Sequence, residues 1–283
     1  MHRPGRSLSP KRHSGAATAP TRRKKLDRAA AKPDIWARAA DGLRANAAES
    51  PLLPSRKRLL LAALALASAD PAAAQTTQDT QLWLNTTLFG SHGDFVYFAE
   101  VQPRFGSDIS RLDQLILRPA VGWKLNDALT VYQGYARVEN TPVGAPSFSE
   151  NRSFQQLSWE IGEFAKFKLS SRTRFEQRWQ SDGRDVGFRF REMLRASHPI
   201  FDEASGLRAV GWSEVFVALN DTDWGAQAGF DQIRTFVGLE IPLQDKAQGK
   251  STVEVGYLNQ TVNAPAARVE INHILSLNLS LRY

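Results

Sequence analysis

From residue 80 to the end of the chain, apolar and polar residues alternate with a period of two. The alternating segments run for roughly 10–16 residues and are divided by turn residues. A period of two puts successive side chains on opposite faces of an extended strand, whereas a helix repeats every 3.6 residues. The last segment, Val269–Tyr283, is the clearest. Val269, Ile271, Leu275, Leu277, Leu279, Leu281 and Tyr283 share one face, with His273 as its polar member. Asn272, Ser276, Asn278, Ser280 and Arg282 share the other.

The same rule recurs upstream. Phe95, Tyr97, Val101 and Phe105 oppose Glu100, Gln102 and Arg104; Leu115, Leu117, Val121 and Trp123 oppose Gln114, Arg118 and Lys124. Phe167, Leu169, Phe175 and Trp179 oppose Arg172, Arg174, Glu176 and Arg178; Phe188, Phe190 and Leu194 oppose Arg189, Arg191 and Arg195, with Glu192 an exception on the apolar face. Ile233, Val237, Leu239 and Ile241 oppose Gln232, Arg234 and Glu240. Further strands are expected near 82–89, 129–139, 152–161, 207–219 and 251–261.

No run of about 20 apolar residues exists, so no helix of spanning length is expected. Mean hydropathy is −0.36. A barrel of strands escapes that test, because only alternate residues need face lipid. The absence of cysteine excludes disulfides and thiolate metal sites. The net charge of +7 is unevenly spread. Residues 1–75 hold 15 of the 36 Lys/Arg and 5 of the 29 Asp/Glu, so the rest holds 21 against 24, a net of −3. The basic character therefore belongs to the leader, and a nucleic-acid partner is not expected.

Within that leader, Arg56-Lys57-Arg58 precedes the apolar run Leu59–Ala67, then Pro71 and Ala72-Ala73-Ala74. This is the order of a secretory signal peptide, residues 56–74, with cleavage expected after Ala74. Residues 1–55 read as a basic disordered extension or a mis-assigned start, and 75–283 as one β-barrel domain.

The expected fold is all-β: an antiparallel up-and-down transmembrane barrel of about 10–12 strands, with a polar, Arg/Glu-rich interior. About 11 segments are countable, but single-chain bacterial barrels favour even numbers. Ten strands would follow if 82–89 does not span, and twelve if two strands are fused. The inward row comprises Glu100, Arg104, Arg118, Arg137, Glu160, Arg172, Arg174, Glu176, Arg178, Arg189, Arg191, Arg195, Glu214, Arg234 and Glu254. Leu275, Leu277, Leu279 and Leu281 are expected to face lipid. Trp83, Tyr97, Trp123, Tyr132, Trp159, Trp179, Tyr257 and Tyr283 are candidates for interfacial aromatic girdles. If Tyr283 ends in the periplasm, segments 140–151, 181–185, 220–229 and 259–267 face outside, and 126–127, 162–164, 199–206 and 244–250 face the periplasm.

The order and spacing of short fragments resembles domain-of-unknown-function family 2490 over about residues 80–283. The carriers are Trp83; Glu100, Gln102 and Arg104; Arg118-Pro119 with Gly122; Gly134-Tyr135; Arg152 with Gln155-Gln156; Arg172–Arg178; Arg189 and Arg191; Phe230–Arg234 with Gly238; and Gly256-Tyr257. The resemblance implies an outer-membrane-type barrel and no established activity. The chain's terminal aromatic strand likewise resembles the signal by which outer-membrane assembly machinery recognises its clients, with Tyr283 as its last residue.

Chemistry-bearing motifs are sparse. His92, His198 and His273 have no metal-ligand spacing, and no cofactor or metal is expected. Ser276 lies three residues from His273, an odd spacing that puts the two on opposite faces, so a Ser/His hydrolase is a poor fit. Asp221 and Asp223 read as solvated loop acids. The functional expectation is a non-enzymatic outer-membrane barrel, structural or forming a narrow anion-preferring channel. Its partners would be the membrane with its lipopolysaccharide and the assembly machinery. An outer-membrane lipid or acyl hydrolase and a soluble periplasmic barrel holding a lipophilic ligand are the alternatives.

Overall fold

The computed structural model describes residues 75–202, 205–243, 251–264 and 268–283. The expected signal peptide and extension, and the 244–250 turn, lie outside these residues. Eleven strands are present among them: β1 (Gln75–His92), β2 (Phe95–Gly106), β3 (Arg111–Lys124), β4 (Leu129–Asn140), β5 (Phe148–Phe164), β6 (Phe167–Gln180), β7 (Val186–Pro199), β8 (Arg208–Ala218), β9 (Gly229–Pro242), β10 (Thr252–Ala264) and β11 (Arg268–Arg282). Each pairs antiparallel with the next, and the sheet closes on itself. No described helix is long and apolar enough to cross a membrane.

Closure corrects the parity argument. The ring has neither ten nor twelve strands, because β1 and β11 run parallel, paired from Gln75↔Arg268 to Phe89↔Arg282. An up-and-down ring with an odd strand number must contain one parallel pair. The 82–89 segment is part of β1 and pairs along its whole length with Leu275–Arg282.

The faces follow the alternation. Leu194, Val237 and Leu275 are 55%, 58% and 49% exposed on the outer wall, while Glu176, Arg174 and Glu214 are 1–2% exposed within. This inverts the usual arrangement of a water-soluble sheet, whose apolar face is covered and whose polar face meets solvent. Leu275, Leu277, Leu279 and Leu281 all lie on the outer wall, opposite buried Ile274 and Ser276. Glu192 stays on the outer wall, where the Thr173 hydroxyl donates to it at 2.5 Å.

Three residues depart from expectation. Arg137 points outward, toward Glu139 at 2.6 Å, because Gly134, Ala136 and Val138 take the inner face of β4. Small inner residues are needed there: a Cβ on Gly134 would stand 2.0 Å from the Phe154 ring. Trp83 is buried inside, packed with Val210, Phe236, Leu258 and Ile274. Tyr132 is also inside, with its ring edge-on to Phe98. Leu82, Leu84 and Leu88 form the outer row of β1, so Trp83 falls on the inner one.

The segments between strands sort by end. Those at 107–110, 141–147, 181–185 and 219–228 share one mouth with the start of β1. The connections at 93–94, 125–128 and 165–166 share the other with Tyr283. At the first mouth, the Asp223 carboxylate accepts from the backbone N–H groups of Arg184 and Asp185. Trp224 donates its indole N–H to the Asp185 carbonyl at 2.9 Å. The 219–228 loop is thereby docked on the neighbouring turn.

Candidate functional site

The inner rows of β5 to β8 meet in one ionic cluster. Strand register opposes like charges there: Arg152 faces Arg178, and Arg174 faces Arg191. Like charges directly opposite are destabilising, and a carboxylate two residues along the strand resolves each case. Glu150 accepts from Arg152 Nε and Nη2 at 2.8 Å and from Arg178 Nε at 2.5 Å. Glu176 accepts from Arg191 Nη1 at 2.6 Å and from Arg189 Nη2 at 2.7 Å. Glu214 takes Arg191 Nη2 at 2.8 Å and Arg172 Nη2 at 2.9 Å. Arg189 also reaches Asp231 at 3.0 Å, and Arg118 is held by Glu100. Taking charges out of water costs several kcal/mol per ion, so such a cluster persists only when each ion is matched. Arg suits this role because its planar fork serves two carboxylates at once.

The matching is incomplete. Nine guanidinium groups (Arg104, Arg118, Arg152, Arg172, Arg174, Arg178, Arg189, Arg191, Arg234) meet five carboxylates (Glu100, Glu150, Glu176, Glu214, Asp231). Arg104 donates only to amide oxygens, Gln114 Oε1 at 2.7 Å and Gln102 Oε1 at 2.8 Å, and lies 3.6 Å from the Trp83 ring centroid. Arg234 lies over the rings of Trp83 and Phe216, at 5.0 and 4.6 Å. Arg174 donates to Gln156 Oε1 at 2.5 Å and stands 3.8 Å from Glu176. Buried Nε atoms of Arg104, Arg172 and Arg234, and Nη1 of Arg174, have no hydrogen-bond partner.

This layer partitions the lumen. A cavity of about 590 Å³ opens toward the long-loop mouth and one of about 670 Å³ toward the Tyr283 mouth. Trp83, Arg104, Arg118, Arg191 and Arg234 line both, so they form the septum between them. In the second cavity, Arg195 bridges Glu240 and Glu254, each at 2.6 Å. Glu160 lines that cavity at its mouth.

Of the fifteen residues expected inward, all but Arg137 are on the inner wall. Glu150, Arg152 and Asp231 complete the ionic network outside the expected inward row, and Glu240, expected on the polar face of its segment though not in that row, binds Arg195. Glu150 shares the parity of Arg152, two residues away, but falls in the stretch read as a loop. The bulge between Phe216 and Val217 shifts the register beside Asp231. His92, His198 and His273 are not brought together, and no described group of His and acidic residues could hold a metal. His273 lies outside, its Nδ1 2.7 Å from the Tyr257 hydroxyl, whereas Ser276 is buried inside.

Residues 80–270 match the family model described as a protein of unknown function, DUF2490. The chain belongs to that family. An uncharacterized protein of Methylorubrum extorquens is 63% identical over 227 residues, covering 80% of this chain and 98% of the relative. No solved structure matches.

Proposed function

We propose that the protein is an outer-membrane β-barrel forming a narrow, anion-preferring passage. The observation that carries the reading is the inversion of the wall: leucines and aromatics outside, guanidinium groups and carboxylates inside. Soluble monomers rarely expose apolar patches beyond a few hundred Å², and an apolar belt around a barrel is what lipid requires. Every strand has 11 residues or more, enough for the roughly 9–11 that a tilted strand needs to span. Trp123, Trp159, Trp179, Tyr257 and Tyr283 are exposed on the outer side, as girdle residues would be. The reading includes export by a signal peptide cleaved after Ala74, recognition of the last strand by the assembly machinery, and contact of the outer loops with lipopolysaccharide. With Tyr283 in the periplasm, the 141–147, 181–185 and 219–228 loops face outside, and β1 starts at that same mouth.

Anion preference follows from the excess of guanidinium groups at the septum, since rings of one charge select the opposite ion in a pore. Carbonate-washed membranes test the location: the protein should stay in the pellet, and release would remove the membrane reading. Planar-bilayer recordings under a salt gradient test the passage. Chloride-selective steps are expected, with selectivity reduced in Arg174→Glu. Absence of steps, or a reversal potential unmoved by the substitution, would reject the channel and leave the septum as a salt-bridged stiffener of the wall.

A further inference from the structure

We infer that the cavity at the long-loop mouth binds a hydroxylated carboxylate, an acidic sugar of the hexuronate class, with its carboxylate held by Arg104 and Arg234. The two guanidinium groups are within 3.6 and 5.0 Å of the same ring, Trp83, at the floor of the cavity. Neither forms a salt bridge among the described residues, because Glu214, opposite Arg234 in register, is taken by Arg172 and Arg191, and Glu100 is taken by Arg118; each keeps a buried Nε–H without an acceptor. In a layer where the other arginines are ion-paired, this pair alone among the septum arginines forms no salt bridge. The wall beside this pair carries amides, with the acids Asp113 and Glu270 also lining the cavity and Glu150 and Asp231 engaged by Arg152, Arg178 and Arg189. Gln114 Nε2 donates to Asn140 Oδ1 at 2.6 Å, and Asn272 Nδ2 donates to Gln260 Oε1 at 3.2 Å. Gln260 in turn donates to Gln232. Each amide has two N–H donors and two lone pairs, so these chains retain groups for sugar hydroxyls. Phe148, Trp224 and Phe230 also line the cavity, offering flat surfaces to the C–H faces of a sugar ring. A volume of about 590 Å³ falls in the range of small-molecule sites, about 300–1,000 Å³, and far exceeds what an inorganic anion would fill.

The inference deepens the anion reading of this lumen and rests on it for the sign of the solute's charge, but equilibrium binding needs no conduction. Calorimetry of the detergent-solubilised barrel with glucuronate, glucose and inorganic phosphate tests it. Glucuronate should bind at least tenfold more tightly than glucose or phosphate. Arg104→Gln and Arg234→Gln should each weaken glucuronate at least tenfold, Arg104→Lys should weaken it less than Arg104→Gln, and Arg195→Gln, in the other cavity, should leave it unchanged. Near-UV circular dichroism of each variant verifies the fold. Equal binding of glucuronate and glucose, no binding of either, or phosphate binding as tight as glucuronate overturns the site. So does an equal loss in Arg195→Gln. Chloride selectivity in bilayers without glucuronate binding would leave the passage standing and remove the site alone. Glucuronate binding in a barrel that does not conduct would do the reverse.

Discussion

The inner face of β5–β8 and the inner face of β9–β11 with β1 are made of the same alternating strands, yet they are held together by different forces. The first is an ionic lattice around Glu150, Glu176 and Glu214. The second carries a buried apolar cluster of Trp83, Phe236, Leu258 and Ile274, joined by Val210 from β8, beside Arg234 and the amides of Gln232, Gln260 and Asn272. Burial there is favourable on its own, about 25 cal/mol per Å² of apolar surface, and needs no partner of matching charge. It also needs room: a Cβ on Gly238 or Gly256 would come within 2.5 or 2.7 Å of the Phe236 ring. The ionic arc is favourable only as a set, because each ion left unmatched must bear its own desolvation. Along the inner side of the parallel seam, Trp83 and Ile274 join this cluster while the rest of the row is short and polar, with Asn85 opposite Asn278 and Thr87 opposite Ser280.

The largest expected effect breaks the ionic arc at its centre. Glu176→Leu leaves Arg189 with Asp231 alone and Arg191 with Glu214 alone, and should lower stability by about 3–5 kcal/mol, the cost of breaking a buried pair. Urea unfolding in detergent micelles measures it; a loss below 1 kcal/mol would mean that the lattice is wet and screened. On the outer side of the seam, Leu275→Arg should cost about 2–4 kcal/mol if Leu275 faces the bilayer centre. Leu279→Arg, nearer the end of β11, should cost less. Equal effects at the two positions in folding assays with lipid vesicles would argue against a depth-dependent lipid contact. Inside the seam, Ile274→Val removes one methylene from the apolar cluster and should cost about 0.5–1.5 kcal/mol. A loss as large as that of Glu176→Leu would erase the distinction between the arcs.

The smallest effect concerns the loop beside the ionic arc. Backbone N–H groups of Arg184 and Asp185 hold the Asp223 carboxyl below its ordinary range. A depressed folded-state pKa stabilises the docked loop above the unfolded value, about 3.9 for Asp, and that support disappears as pH falls through the lower folded value. Trp224, docked on Asp185, should therefore become more exposed in acid, and Asp223→Asn should abolish the transition. An emission profile of the wild type that is flat from pH 6 to pH 2 would contradict it.

Much of this was legible in the sequence because a strand's period is two: once one inner residue is known, the rest of its row follows. Arg172–Arg178 and Arg189–Arg195 declare their face by charge alone. The rule failed where the inner face is itself apolar or small. Gly134, Ala136 and Val138 conceal the inward side of β4, so charge alone points Arg137 inward, and the aromatic character of Trp83 alone points it to a girdle. It also failed at strand ends, where Glu150 looked like loop.

The sequence by itself determined the all-β class, the segment spacing and the separation of charged from greasy rows, because these are properties of neighbours along one chain. Only the tertiary structure decided the parallel closure between β1 and β11, the sharing of Glu176 between Arg189 and Arg191, and the absence of a salt bridge at Arg104 and Arg234. Those depend on register between strands and on distances across the lumen, and local alternation carries no information about either.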